Sequence, residues 1–300
     1  MPPKLTARSP LLGHTRRVSS VAITADGLRV LSGSLDRSLR LWDLSSGASS
    51  TLDGHASEVN AVALSPNGKI GVSGSGELSL GENLVRIWDL ASRKPLRDLV
   101  GHTAEVSAVA LHASSGLVAS GGADRRVRLW DLESGESRHV LEGHDGWVRA
   151  VAFSPDGARL VSAAMDGSVQ VWDTVRGASV RRLVGHEGRV YAAALSPDGK
   201  RALTGAKDQT LRVWDLESGE TRAVLEGHEA LVRAATFLPD GRYALSASED
   251  KTLRLWDLHS GQPVAVEKAS GAVLAAAVSA DGRRIVAGTY DRRVLLYDIT

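Results

Sequence analysis

The sequence predicts an all-β protein in which seven four-stranded antiparallel sheets close into a ring. Three observations carry that reading. A pair of dipeptides recurs at fixed spacing, the segments between them alternate in side-chain type with a period of two, and turn residues punctuate them at regular intervals. The 300-residue chain is 43% hydrophobic and 24% charged, the proportions of a folded soluble protein long enough to bury a large core. Only 4% of it is aromatic, so Val, Leu, Ile and Ala must fill that core.

The first dipeptide occurs as Gly13-His14, Gly54-His55, Gly101-His102, Gly143-His144, Gly185-His186 and Gly227-His228. The second occurs as Trp42-Asp43, Trp88-Asp89, Trp130-Asp131, Trp172-Asp173, Trp214-Asp215 and Trp256-Asp257, with Tyr297-Asp298 as a seventh. Gly and Trp are 29 residues apart except in the second repeat, where the interval is 34. Leu39-Arg40-Leu41-Trp42 and Leu211-Arg212-Val213-Trp214 alternate as strands that face two different neighbours. Ser65-Pro66-Asn67-Gly68, Ser154-Pro155-Asp156-Gly157 and Ser196-Pro197-Asp198-Gly199 are hairpin signals, because Pro presets φ and Asp-Gly or Asn-Gly tolerates positive φ. A second hairpin follows each Trp-Asp, as in Glu133-Ser134-Gly135-Glu136, which gives four short strands per repeat.

A single four-stranded sheet cannot bury both faces, so the repeats must stack, and closure leaves no unprotected end. On these dipeptides and turn acids the chain resembles the WD-repeat family over nearly its whole length. The resemblance implies a seven-bladed β-propeller formed by residues 1–300 as one domain. After Tyr297-Asp298 only Ile299 and Thr300 remain, so residues 8–12 are expected to supply the outer strand of the last blade.

Each full repeat also holds His, Ser or Thr, Asp and Trp at fixed offsets, for example His102, Ser120, Asp124 and Trp130, or His186, Thr204, Asp208 and Trp214. Five copies of a hydrolase-like set argue against one nucleophile. The resemblance implies instead that each quartet is a buried hydrogen-bond chain that stiffens its blade. Glu82 stands at the turn-Asp offset of repeat 2, leaving His55, Ser73 and Trp88 without an ideally placed acceptor. Repeat 7 has Lys268-Ala269 for Gly-His, Ala287 for Ser and Tyr297 for Trp, which makes it the softest blade by expectation.

The resemblance also implies that three positions per repeat project onto the upper face of the disc: the third and fifth residues after the His, and the residue before the turn acid. Blades 4 to 6 place Trp147, Arg149, Met165, Arg189, Tyr191, Lys207, Leu231 and Arg233 there, whereas blades 2 and 3 place mostly small or acidic residues. Aromatics, Met and Arg are enriched at interface centres, and clustered Arg favours an acidic or phosphorylated segment. These eight residues form the candidate site for a protein or peptide partner. The competing reading pairs the arginines with Glu58, Glu105 and Glu249 and has Trp147 and Tyr191 merely plug the channel. Leu78 and Leu80, in the longer turn of repeat 2, are a second candidate anchor.

The sequence suggests no catalytic residue, cofactor or metal ligand set. The formal charge of +1 gives no drive toward nucleic acid or an anionic membrane, and the absence of cysteine excludes thiolate chemistry and disulfides. The N-terminus lacks a signal-peptide core and no apolar run is long enough to span a bilayer, so a cytoplasmic monomer is expected. Arg outnumbers Lys about fourfold, which fits a GC-rich bacterial genome. The reading is therefore a non-catalytic scaffold or sensor, either free or as a domain of a larger protein. An architectural or engineered symmetric ring is the first alternative, suggested by the near identity of residues 129–136 and 213–220. A propeller enzyme or nucleic-acid binder is the second.

Overall fold

The computed structural model describes residues 3–77 and 81–300; the proposed anchors Leu78 and Leu80 lie outside the described residues. Each repeat forms one antiparallel sheet whose strands follow in chain order from axis to rim. Val18–Ile23, Arg29–Ser34, Leu39–Asp43 and Ser49–Leu52 make the first, and six further sheets repeat the pattern. The innermost strands of successive sheets pack on one another around the axis, and the last of them, Val273–Val278, packs on the first, Val18–Ile23. The chain is thus a seven-bladed β-propeller, and the described residues contain no α-helix.

The inner hairpins form because the turn supplies its own hydrogen bonds. The Ser154 hydroxyl donates to Asp156 at 2.5 Å and accepts from the Arg159 amide at 2.9 Å, while Gly157 takes a φ of 71° that a side chain would strain. Thr24, Ser65 and Ser279 act in the same way in their own blades.

Seven apolar clusters occupy the seven seams between blades. In one, Leu31, Leu39 and Leu52 of blade 1 meet Val59, Val62 and Trp88 of blade 2. In the closing one, Val286, Val294 and Leu296 of blade 7 meet Val18, Val21, Val30 and Trp42 of blade 1. Each sheet therefore buries both faces against its neighbours, as the two-sided alternation requires.

The last blade is completed from the other end of the chain. Leu5–Ala7 pairs with Tyr297 to Ile299, Leu11–Leu12 pairs with Arg293 and Val294, and Arg8 donates its amide to Leu296 O at 2.8 Å. The strand ladder begins at Leu5, with Lys4 and Thr300 bonded just beyond it, ahead of the 8–12 segment expected from the repeat. The receiving strand, Arg293–Ile299, is seven residues long, so it offers partners beyond those the repeat spacing anticipates.

Candidate functional site

The recurring quartets are closed to substrate. His186 Nδ1 lies 2.8 Å from Asp208, its Nε2 lies 2.7 Å from the Thr204 hydroxyl, and Trp214 Nε1 donates to that same hydroxyl at 2.8 Å. Burial pushes Asp208 upward, but hydrogen bonds from His186 and from the Glu187 and Thr210 amides outweigh it and hold the carboxyl well below the usual range. An ionised Asp only accepts, so Nδ1 donates to it, and in the neutral ring Nε2 then accepts from the hydroxyl. The hydroxyl is then fully engaged and fully buried, as is Ser162 in blade 4. The Gly of Gly-His is required where it touches this set. Gly54 takes a φ of 152°, and a Cβ there would sit 3.1 Å from the Arg86 guanidinium and 3.3 Å from the Trp88 ring.

Blade 2 corrects the expectation of a defective quartet. Glu82 Oε1 sits 2.5 Å from His55 Nδ1, and Ser73 accepts from Trp88 at 2.8 Å. The longer Glu side chain, on a longer turn anchored by its amide to Ser57 Oγ at 3.1 Å, reaches the imidazole. The insertion also changes which residue bonds the upper loop: Gly76, rather than Gly81, donates its amide to Glu58 O at 3.1 Å. In blade 7 the turn acid Asp291 receives the Ser270 hydroxyl at 2.6 Å, and Ala269, Ala287 and Tyr297 join an apolar cluster where other blades have the polar chain.

These titrations set a pH dependence. Burial lowers the His55 and His228 imidazoles below their ordinary 6.5, with Glu82 and Asp250 opposing. Their contribution is complete above 6.5 and declines as pH falls, because the unfolded chain takes up the proton first. The turn acids, depressed below 3.8 in blades 1, 4 and 5, contribute above 3.8 and lose that contribution as pH falls further. Urea midpoints measured against pH should be flat from about 8 to 7, decline gently toward about 5 and collapse below about 4. A midpoint that rises on acidification would contradict the buried neutral imidazoles.

The upper face is set by a repeated irregularity. In all seven blades the pairing of the first and second strands slips by one residue near the start of the inner strand. The residues skipped are Ser19, Asn60, Ser107, Arg149, Tyr191, Arg233 and Leu274, and all seven line a central cavity of about 580 Å³. A bulge re-aims its side chain, which here puts the fifth residue after each His into the channel mouth. The ring of bulges is uneven. Ser107 donates to Val148 O at 2.6 Å and Asn60 to Gly76 O at 3.0 Å, so the small polar members tie up neighbouring carbonyls. Arg149, Tyr191 and Arg233 instead fill the cavity, the Tyr191 ring lying 5.7 Å from the Arg149 guanidinium and 4.8 Å from that of Arg233.

The candidate residues divide into two groups. Arg149, Tyr191 and Arg233 come together in the channel, where Arg149 lies 3.5 Å from Glu105 and Arg233 makes a forked contact with Glu249 at 2.5 and 2.8 Å. Burial raises the Glu105 carboxyl and lowers the Arg149 guanidinium, despite their mutual attraction. Trp147, Met165, Arg189, Lys207 and Leu231 lie outside the channel cavity. Met165 and Lys207 donate their amides to Trp147 O and Arg189 O at 2.9 and 2.8 Å, so the loop positions are adjacent in pairs. Trp147, Met165 and Leu231 are half-buried; Arg189 and Lys207 are exposed. Glu58 pairs with Arg16, at 2.7 Å. Sequence reading passed over Arg16 and Arg292, which line a further pocket with Arg17 and Tyr290. Neither stands at one of the three projecting offsets. Among the described residues no group of three or more His, Asp or Glu is placed to hold a metal ion, and no helix is long and apolar enough to cross a membrane.

Closed quartets, seven stacked sheets and a variable ring of bulges define a repeat propeller whose individuality lies on its upper face. Residues 6–43, 48–89, 93–131, 135–173, 177–215, 219–257 and 261–298 each match the WD domain, G-beta repeat, and the chain belongs to that family. It is similar to the small ribosomal subunit protein RACK1 of Caenorhabditis elegans, with 55% identity over 40 residues, 13% of this chain and 12% of the relative. To the small ribosomal subunit protein RACK1 of Neurospora crassa the identity is 29% over 155 residues, 38% of this chain and 49% of the relative. The autophagy-related protein 16 of Arabidopsis thaliana is 26% identical over 118 residues, 39% of this chain and 22% of the relative. The chain spans about half or less of the length of these curated relatives. They come from a nematode, a fungus and a plant, and lend no support to the bacterial origin suggested by the Arg-rich composition.

Proposed function

We propose that this chain is a non-catalytic scaffold or sensor, a cytoplasmic monomer without a cofactor, that binds a protein or peptide segment on its upper face over blades 4 to 6. The observation that carries this reading is the asymmetry of the face. Blades 1 to 3 direct small bulge residues at neighbouring carbonyls, whereas blades 4 to 6 present Arg149, Tyr191 and Arg233 beside half-buried Trp147, Met165 and Leu231. Half-buried aromatic and Met side chains next to Arg are the composition of an interface centre. Exposed Arg189 and Lys207 favour an acidic or phosphorylated segment, whereas the overall charge of +1 offers little to nucleic acid or membranes. Two of the relatives are by name proteins of the small ribosomal subunit, which agrees with a role in docking to other macromolecules.

The test is an affinity pulldown with the immobilised chain and its double variant Trp147→Ala, Arg189→Ala. Specific capture should fall about tenfold or more while the melting curve stays unchanged. Capture that survives both substitutions would remove the site from blades 4 to 6.

A further inference from the structure

We infer that the seam between blades 7 and 1 carries a second recognition site, a pocket for the phosphomonoester of a phosphorylated side chain on an extended partner segment. A cavity of about 410 Å³ opens there, lined by Arg16, Arg17, Leu35, Glu58, Tyr290 and Arg292. Three guanidiniums and one carboxylate, Glu58, line it, and Glu105 in the adjoining central cavity also attracts Arg17, so cations outnumber carboxylates in the cleft. Arg16 is fixed by Glu58 at 2.7 Å and by the Leu35 carbonyl at 3.0 Å. Arg17 and Arg292 make no ion pair with a carboxylate among the described residues, and the Arg17 guanidinium lies 5.8 Å from the centre of the Tyr290 ring, itself 60% exposed. The channel arginines differ: Arg233 is forked onto Glu249, and Arg149 faces Glu105.

The chemistry selects the ligand. A doubly charged phosphoryl group suits a cleft in which guanidiniums outnumber carboxylates, and its three terminal oxygens suit the planar donor forks of Arg17 and Arg292 better than one carboxylate does. Leu35 and the Tyr290 ring supply a nonpolar wall for the carbon stem that carries the phosphate. The pocket shares Arg17, Leu35 and Glu58 with the central cavity, so a segment held at the seam has a continuous route across the upper face. The inference uses none of the eight residues of blades 4 to 6, and its test is separate from theirs.

The experiment is fluorescence anisotropy with the full chain and two labelled pentapeptides, Gly-Ala-phosphoSer-Ala-Gly and the same peptide with Ser. The phosphopeptide should bind at least about tenfold more tightly, and more weakly as salt is raised. Arg17→Gln and Arg292→Gln should each cost about tenfold, consistent with the loss of one charge-assisted contact, without altering the melting curve. Trp147→Ala should leave this binding unchanged. Equal binding of the two peptides, or full binding by the Arg17→Gln, Arg292→Gln double variant, would overturn the site. Inorganic phosphate that competes as well, mole for mole, as the unlabelled phosphopeptide would overturn its assignment to a partner segment.

Discussion

Removing residues 1–12 should lower the stability of the whole ring by about 3–5 kcal/mol, seen as a lower thermal midpoint of one cooperative transition. The segment supplies the strands Leu5–Ala7 and Leu11–Leu12 and the ion pair of Arg8 with Asp298 at 2.5 Å. Leu5 packs against the seam of blades 6 and 7, and Leu11 against the seam of blades 7 and 1. Their loss exposes both seams and the edge of Arg293–Ile299. Blade 7 lacks the His–hydroxyl–Trp chain of the other blades, so hydrogen exchange should quicken there before it does in blade 5. An unchanged melting curve would show that the closure contributes nothing.

Asp208→Ala is expected to cost about 3 kcal/mol, read as a lower urea midpoint at unchanged slope. Four donors converge on that carboxylate: His186 Nδ1 at 2.8 Å, the Glu187 amide at 2.9 Å, and the Thr210 amide and hydroxyl at 3.1 and 2.9 Å. Truncation strands a buried imidazole N–H and breaks the chain that ends at Trp214. Asp291→Ala in blade 7 is the control. There the carboxylate has no histidine partner and holds the Ser270 hydroxyl at 2.6 Å with weaker support from Thr289 and from Arg293 at 3.4 Å, so the loss should be about 1 kcal/mol. Equal costs in the two blades would mean that the histidine-linked chain adds no stability of its own.

The ring was readable from residues because its determinants are local and repeated. Gly-His, the turn acid and Trp-Asp recur in register, and the inner hairpin of every blade except the third carries its own Asp-Gly or Asn-Gly turn. The channel residues were readable for the same reason, since the fifth residue after the His, or after Ala269 in blade 7, is the residue skipped by a bulge. Glu82 was misjudged because an offset carries no information on reach, and one extra methylene on a longer turn restored the contact. Charge partners were only partly legible. Arg233 with Glu249 lies within one blade, whereas Arg16 with Glu58 and Arg149 with Glu105 cross seams, where pairing depends on how neighbouring sheets are rotated. The seam pocket escaped notice because Arg292 follows the turn acid, a position that varies from blade to blade.

The bonds of Lys4 with Thr300, amide to carbonyl in both directions at 2.9 and 3.1 Å, lie beyond the final ladder pairs of Leu5–Ala7 with Tyr297 to Ile299. A pull between these two points therefore peels the ladder open one rung after another instead of shearing it all at once. Tension passing through the protein would be released at that single zipper, and blades 1 to 6 would stay unloaded until the last rung parts.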